Sequence, residues 1–214
     1  MKKIYYWSPF TSKVATVMSV INSMQMFNNY QRDGEYKASI IDAVGEWTPF
    51  QEILTRKKIG RITLNSSSSF HKLKINGFFK SRIAYWYIFC KSVFKLNKIL
   101  INNKPDFLII HLITSLPILL FLFNNYETKL ILRISGLPKL NIIRRLIWQI
   151  GCKKIQIITC PTIGTFNELK KINFLKDKLR LLRDPVLNIA DIQKIKNSRS
   201  DLPEEVFNFI KNSK

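Results

Sequence analysis

Acidic side chains are scarce in this chain of 214 residues, which has 14 Asp and Glu residues against 35 Lys and Arg. The formal net charge at pH 7 is therefore +21. So few carboxylates argue against an active site built on a pair of acids. The sequence has no Asp-x-Asp motif for a divalent cation, and its two histidines argue against a multi-histidine site. We therefore expect no metal site.

Cysteine and glycine are also few. The three cysteines cannot form a disulfide framework and lack the spacing of metal ligands, which fits a reducing, cytoplasmic compartment. The seven glycines are isolated, so the sequence has neither a Walker loop nor a Gly-x-Gly-x-x-Gly motif. It also lacks the Gly-x-Ser-x-Gly motif of many hydrolases. These absences argue against the common nucleotide-binding loops and against a serine nucleophile.

A long apolar run, residues 107–123, carries no formal charge. As a helix it would reach about 25 Å, less than the roughly 30 Å of a bilayer core. His111 and Pro117 also interrupt it. We therefore predict a buried strand followed by a helix that begins near Ser115, where proline is tolerated in the first turn. The apolar run after Lys2 and Lys3 is too short for a signal peptide, so no targeting segment is predicted.

The positive charge attracts polyanions, and the candidates are nucleic acid, an anionic membrane or a ligand that bears phosphate. Basic residues cluster at 56–58, 144–145 and 153–154. Part of the surplus reflects a composition rich in Ile, Lys and Asn, as AT-rich coding DNA produces. Charge alone therefore leaves the partner open.

Short apolar runs alternate with helical patterns along the chain. Such repeats predict an α/β fold with an open, doubly wound parallel sheet, Rossmann-like in its crossovers. We expect this domain to cover residues 1–187, with a linker and a short C-terminal helix over 188–214. Strands are predicted at 4–7, 36–44, 61–64, 107–112, 129–134, 154–159 and 179–182; helices are predicted at 12–27, 80–102, 115–123, 140–150 and 163–171; residues 45–79 otherwise read as irregular.

Ligands of such sheets bind beyond the carboxyl ends of the strands, which directs attention to the loops there. The first loop offers helix N-terminal amides, hydroxyls and a lysine for an anion or a sugar hydroxyl, or it is an ordinary capped helix start. Its candidate residues are Ser8, Phe10, Thr11, Ser12 and Lys13.

Two later loops add further candidates. His111 follows a central strand, where it could donate to a sugar hydroxyl or take a proton near neutral pH, or be a core histidine bonded to backbone. Arg133, Ser135 and Gly136 could bind a phosphate or an acidic sugar, or Gly136 could serve the turn alone. We assign the catalytic role to His111 and acceptor or phosphate binding to the other loop residues.

The predicted helix at 80–102 carries a lysine stripe beside aromatic side chains. Lys91, Lys95 and Lys98 follow helical spacing. This pattern suits either the surface of an anionic bilayer or a half-buried helix with a solvated lysine face.

The order of elements resembles the N-terminal half of a GT-B glycosyltransferase of the family-4 type, over about residues 1–187. Residues 8–16 resemble the first loop of that family. Residues 104–111 resemble its Pro-Asp-x-x-His-x-His pattern, with His111 at the second histidine and Ile109 in place of the first. The segments 133–138, 157–169 and 181–186 resemble its later loops.

The resemblance implies a retaining enzyme that uses a nucleotide sugar and builds bacterial surface polysaccharide or lipopolysaccharide. The acceptor, lipid-linked or an oligosaccharide, would bind this lobe, with His111 near the reacting sugar. No cofactor is expected in this chain, because the nucleotide sugar would bind a C-terminal lobe whose Glu-x7-Glu motif is absent here. We expect a lone acceptor lobe that is inactive by itself: a fragment, a truncated gene product, or one half of a split enzyme whose donor lobe is on a separate chain.

The resemblance also implies a peripheral position on the inner face of the cell membrane and no nucleic acid partner. The alternative is a basic, non-enzymatic module that binds nucleic acid or an anionic membrane. That alternative predicts steep salt dependence of DNA binding in a filter-binding titration.

Overall fold

A computed structural model describes residues 1–11, 16–29, 35–65, 78–138 and 141–185. Met1–Asp184 forms one compact unit. Strands and helices alternate along it, as the sequence predicts. The strands are β1 (Lys2–Trp7), β2 (Tyr36–Asp42), β3 (Gly60–Thr63), β4 (Phe107–Ile110), β5 (Lys129–Arg133), β6 (Ile155–Cys160) and β7 (Leu179–Leu181). The helices are α1 (Thr16–Asn29), α2 (Gln51–Arg56), α3 (Phe78–Asn103), α4 (Ser115–Phe123), α5 (Ile142–Gly151) and α6 (Ile163–Lys170).

The strands form a parallel sheet of seven in the order β3-β2-β1-β4-β5-β6-β7. The strand order reverses direction between β1 and β4, which makes this pair the topological switch point where ligands of such sheets bind. The open, doubly wound parallel sheet predicted from the sequence is confirmed.

Two apolar cores lie on opposite faces of the sheet, because alternate strand residues point to opposite sides. One core packs α1 and the α2 region against β1, β2 and β4, through residues such as Tyr6, Ile21 and Leu54. The other packs α3, α4, α5 and α6 against the sheet, through residues such as Leu96, Ile118 and Leu132. Helices therefore cover both faces, which explains why the strands read as continuous apolar runs.

The apolar run at 107–123 folds as β4 followed by α4, with Pro117 in the first turn of the helix. None of the helices in the described residues combines the length and apolar character needed to cross a membrane. The prediction of irregular structure over 45–79 was wrong for Gln51–Arg56, which forms α2. The predicted linker and terminal helix at 188–214 lie outside the described residues.

Candidate functional site

Four neighbouring strands of the sheet end in polar residues at one edge. Ser8 follows β1, His111 follows β4, Arg133 ends β5 and Thr159 lies one residue before the end of β6. The backbone N–H of His111 donates to the carbonyl of Trp7 at 2.9 Å, which ties the two loops of the switch point together. Because parallel strands end at the same edge, residues distant in sequence meet here.

Several of these polar side chains are buried without a partner. The Oγ of Ser8, the Oγ1 of Thr159 and both ring nitrogens of His111 have no hydrogen-bond partner among the described residues. The side chains of all three residues are buried, and His111 is only 5% exposed. Buried polar groups are normally paired, so this group of unpaired atoms marks a place where a polar ligand or ordered water is needed.

His111 is electrically neutral in this setting. Burial and the nearby positive charge of Arg133 lower the pKa of His111 to about 3. A neutral imidazole offers one donor and one acceptor, which matches the bonding needs of a hydroxyl group. A pKa this low does not fit the sequence-based suggestion that His111 takes up a proton near neutral pH.

Arg133 is also buried, and its charge is compensated within the protein. Its Nε donates to the Oδ1 of Asp184 at 3.0 Å and its Nη2 donates to the same oxygen. Its Nη1 donates to the Oγ of Ser23 at 3.3 Å, and that hydroxyl is 2.8 Å from the Tyr6 hydroxyl. Burial raises the pKa of Tyr6 to about 12, so this network carries no net charge beyond the Arg133–Asp184 pair.

A pocket of about 680 Å³ opens beside His111 and Arg133. Its walls come from helices α3, α4 and α5, from the end of β5 and from the loops after β4 and β5. Ile113, on this wall, has a φ of 47°, a conformation that a β-branched residue seldom adopts outside functional sites. Lining residues include Arg82, Tyr85, Trp86, Ser115, Asn141 and Trp148.

Of the other predicted site residues, the structure places some at the pocket and others away from it. Ser135 and Gly136 lie on the exposed rim of the pocket, and Gly136 has open space where a Cβ would stand. The ring of Phe10 is instead buried, 5.2 Å from that of Trp47, which favours a packing role. Thr11 is half-buried, and Ser12 and Lys13 lie outside the described residues.

Sequence reasoning missed three members of the site. Thr159 was read only as the end of a strand, although its place beside the loop residues could have identified it. Ser23 and Asp184 reach Arg133 across 110 and 51 residues of sequence. No local pattern predicts such pairs.

A second buried polar cluster lies at the carboxyl end of β2. The carboxyl oxygens of Glu46 accept the backbone N–H groups of Ala43 at 3.0 Å and Val44 at 2.7 Å. Asp42 accepts from the backbone N–H of Gly45 at 2.8 Å and from the Arg61 guanidinium. Burial and the adjacent Asp42 raise the pKa of Glu46 well above its usual value. Its hydrogen bonds are satisfied, which indicates that this cluster shapes the loop.

The sequence matches no protein-family model and no curated protein. Solved structures do resemble the chain. The UDP-GlcNAc 2-epimerase from Neisseria meningitidis, bound to UDP-GlcNAc, has a TM-score of 0.61 and 15% identity over 92% of this chain and 51% of its own. A glycosyltransferase from Rickettsia africae has a TM-score of 0.58 and 12% identity over 94% of this chain and 50% of its own.

A third example is UGT73P12 from Glycyrrhiza uralensis, complexed with glycyrrhetinic acid 3-O-monoglucuronide. Its TM-score is 0.60 at 10% identity, over 86% of this chain and 49% of its own. The chain thus spans about half the length of each of these structures. At such low identity the likeness establishes the fold alone: the chain has the architecture of a single lobe of the GT-B fold.

Proposed function

We propose that this chain is the acceptor-binding lobe of a nucleotide-sugar-dependent glycosyltransferase, and that the pocket beside His111 receives a sugar. The observation that carries the proposal is His111, which lines the pocket at the switch point of the sheet and whose two buried ring nitrogens have no partner among the described residues. Ser8 and Thr159 place two more buried, unpaired hydroxyls in a row with it at the same edge of the sheet. The resemblance of 92–94% of the chain to one GT-B lobe supports the reaction class.

The chemistry of the row favours an uncharged, hydroxyl-rich ligand at this point. Two hydroxyls and a neutral imidazole supply donors and acceptors without charge. Arg133 already has a carboxylate partner in Asp184, so little of its charge is left to bind a phosphate. A hexose hydroxyl meets these demands better than a phosphate oxygen does.

The finer features of the proposal come from the family resemblance. They are retention of anomeric configuration, a nucleotide sugar bound by the opposite GT-B lobe, and an acceptor that belongs to bacterial surface polysaccharide or lipopolysaccharide. In this arrangement His111 contacts the reacting sugar as a neutral donor and holds it in place. A lobe that supplies half of the transition-state contacts is expected to be inactive when alone.

Imidazole NMR tests the site directly, because the chain has two histidines. In a His71→Gln variant, His111 is the single source of imidazole signals. We expect millimolar N-acetylglucosamine and UDP-N-acetylglucosamine to shift the His111 ring resonances, and UDP alone to leave them in place. Shifts with UDP and none with either sugar-bearing ligand would refute the assignment of a sugar to this pocket.

Epimerisation is a second candidate, since two-lobed UDP-GlcNAc 2-epimerases share this fold with similar TM-scores. The products separate the two activities when the chain is assayed together with a donor-lobe partner. Glycosyl transfer releases UDP from the nucleotide sugar, whereas epimerisation at C2 leaves the nucleotide sugar intact with inverted C2 stereochemistry. Proton NMR of the reaction mixture distinguishes these outcomes.

A further inference from the structure

Helix α3 exposes an apolar stripe on the side that faces away from the sheet. Its inner side buries Ala84, Ile88, Ser92, Leu96 and Leu100. At 3.6 residues per turn, the stripe occupies an arc of about 80° opposite these residues and extends for about 27 Å. The outer stripe consists of Ile83, Trp86, Cys90, Phe94 and Ile101, all of them exposed, with Phe94 at 81% and Trp86 at 63%.

Helix α5 presents a matching surface on the same face of the sheet. Its Ile142, Leu146 and Ile150 recur at every fourth position and are 81%, 54% and 51% exposed. The apolar α4 packs between α3 and α5 in the helical layer. Isolated exposed apolar residues are ordinary, but a stripe repeated on two helices of one layer marks an interaction surface.

The charge beside the stripe is positive throughout. Lys80, Lys91 and Lys98 are exposed and fall on one flank of α3 by helical periodicity. Arg145 is exposed on α5. Neither helix contains an acidic residue. An occupant of this surface must therefore bury apolar side chains and offer negative charge around them.

We propose that the outer surface of α3 and α5 binds the interface of an anionic lipid bilayer. Aliphatic and aromatic side chains would enter the acyl boundary, Trp86 would sit at headgroup depth and the lysine row would meet anionic headgroups. A second copy of the chain satisfies the apolar stripe but brings like charges together, on a protein whose net charge is +21.

The surface borders the pocket described above. Arg82 and Trp86 belong both to the N-terminal half of α3 and to the pocket wall, and Asn141 and Ile147 connect the pocket to α5. A bilayer on this surface would therefore lie next to the pocket mouth. The membrane inference itself does not depend on the proposed function, because it rests on exposure, periodicity and charge alone.

Trp86 is a built-in probe for the test. Of the four tryptophans, Trp7 and Trp47 are fully buried, Trp148 is 8% exposed and Trp86 is 63% exposed. We expect vesicles of phosphatidylcholine and phosphatidylglycerol that carry brominated acyl chains to quench the Trp86 emission. Vesicles of brominated phosphatidylcholine alone should quench it far less, and a Trp86→Phe variant should lose the quenched component.

Vesicle flotation with matched variants completes the test. A triple Ile83→Gln, Phe94→Gln, Ile101→Gln variant should bind anionic vesicles at least about tenfold more weakly than wild type. The control pair Met18→Gln, Met26→Gln also removes exposed apolar side chains, 40% and 46% exposed, but from α1 on the opposite face of the sheet. This control should bind like wild type.

The lysine row has its own matched variants. Lys80→Gln, Lys91→Gln, Lys98→Gln should reduce binding to anionic vesicles, whereas Lys37→Gln, Arg56→Gln, Lys58→Gln removes the same charge from exposed sites elsewhere and should not. Thermal unfolding checks that each variant is folded. Equal binding of both sets, a dimer that the stripe variant abolishes, or duplex DNA bound through the same lysines would overturn the proposal.

Discussion

The ion pair between Arg133 and Asp184 gives the sharpest test of how the site is held. Asp184 follows β7 and is the carboxylate partner of a guanidinium that is 4% exposed on its side chain. Asp184→Asn keeps the shape of the side chain and removes its charge. Arg133 would then be a buried cation with one remaining contact in the described residues, the Ser23 hydroxyl.

The expected cost follows from burial. Removing one partner of a buried ion pair costs about 3–5 kcal/mol, because the other charge is left without compensation. The Asp184 side chain is 18% exposed, so water can replace part of the lost interaction. We therefore expect the lower end of this range, about 3 kcal/mol, which corresponds to a fall in Tm of roughly 6–12 °C for a domain of this size.

The control is Glu127→Gln, which removes the same charge from the exposed pair with Lys104. Those side chains are 59% and 75% exposed, and exposed pairs contribute about 1 kcal/mol or less. Urea unfolding followed by circular dichroism gives the free energy of unfolding of both variants, and we expect their m-values to be equal. If Asp184→Asn costs no more than Glu127→Gln, Arg133 does not depend on Asp184 and the account of a charge-compensated site fails.

Three further predictions concern single titratable groups. Burial lowers the pKa of His111 from its usual 6.5, so His111 makes the stability of the protein fall as pH falls below 6.5. Burial and the adjacent Asp42 raise the pKa of Glu46 above its usual 4.5, so Glu46 makes the stability fall as pH rises above 4.5. These slopes, each up to about 1.4 kcal/mol per pH unit, have opposite signs. Urea titrations at several pH values test both slopes. As pH rises, the free energy of unfolding of His111→Gln should decline relative to wild type, and that of Glu46→Gln should increase relative to wild type. Variants whose stability follows the wild-type pH profile would contradict the burial of these groups. Among the cysteines, exposed Cys90 should react with Ellman's reagent in the native protein, whereas buried Cys152 and Cys160, whose thiol pKa values burial raises, should react only in denaturant.

Most of the fold was predictable because the signals that specify it are local. The limits of α4 were predicted to the residue, since Ser115, Pro117 and the end of the apolar run all mark the same boundaries. The short α2 was missed because six residues show less than two turns of periodicity. The positions of His111 and Arg133 at the carboxyl ends of β4 and β5 were predictable because the ends of parallel strands are identifiable in sequence. Their partners were not, since Ser23 and Asp184 reach the site through the tertiary fold.

The net charge of the chain and the charge of its pocket point to different kinds of ligand. A net charge of +21 suggests an anionic ligand for every basic loop, and on that ground Arg133 reads as a phosphate site. In the folded protein Arg133 is compensated by Asp184 and His111 is neutral, so these two residues give the pocket wall polarity without net charge. The exposed lysines Lys80, Lys91 and Lys98 lie outside the pocket, on the flank of α3. This division argues that positive charge serves to bring the protein to an anionic surface, while hydrogen bonding inside the pocket selects the ligand. Ionic strength distinguishes membrane binding from ligand binding in the pocket. Vesicle binding should weaken steeply as the salt concentration rises, whereas the sugar-induced shift of the His111 resonances should not change.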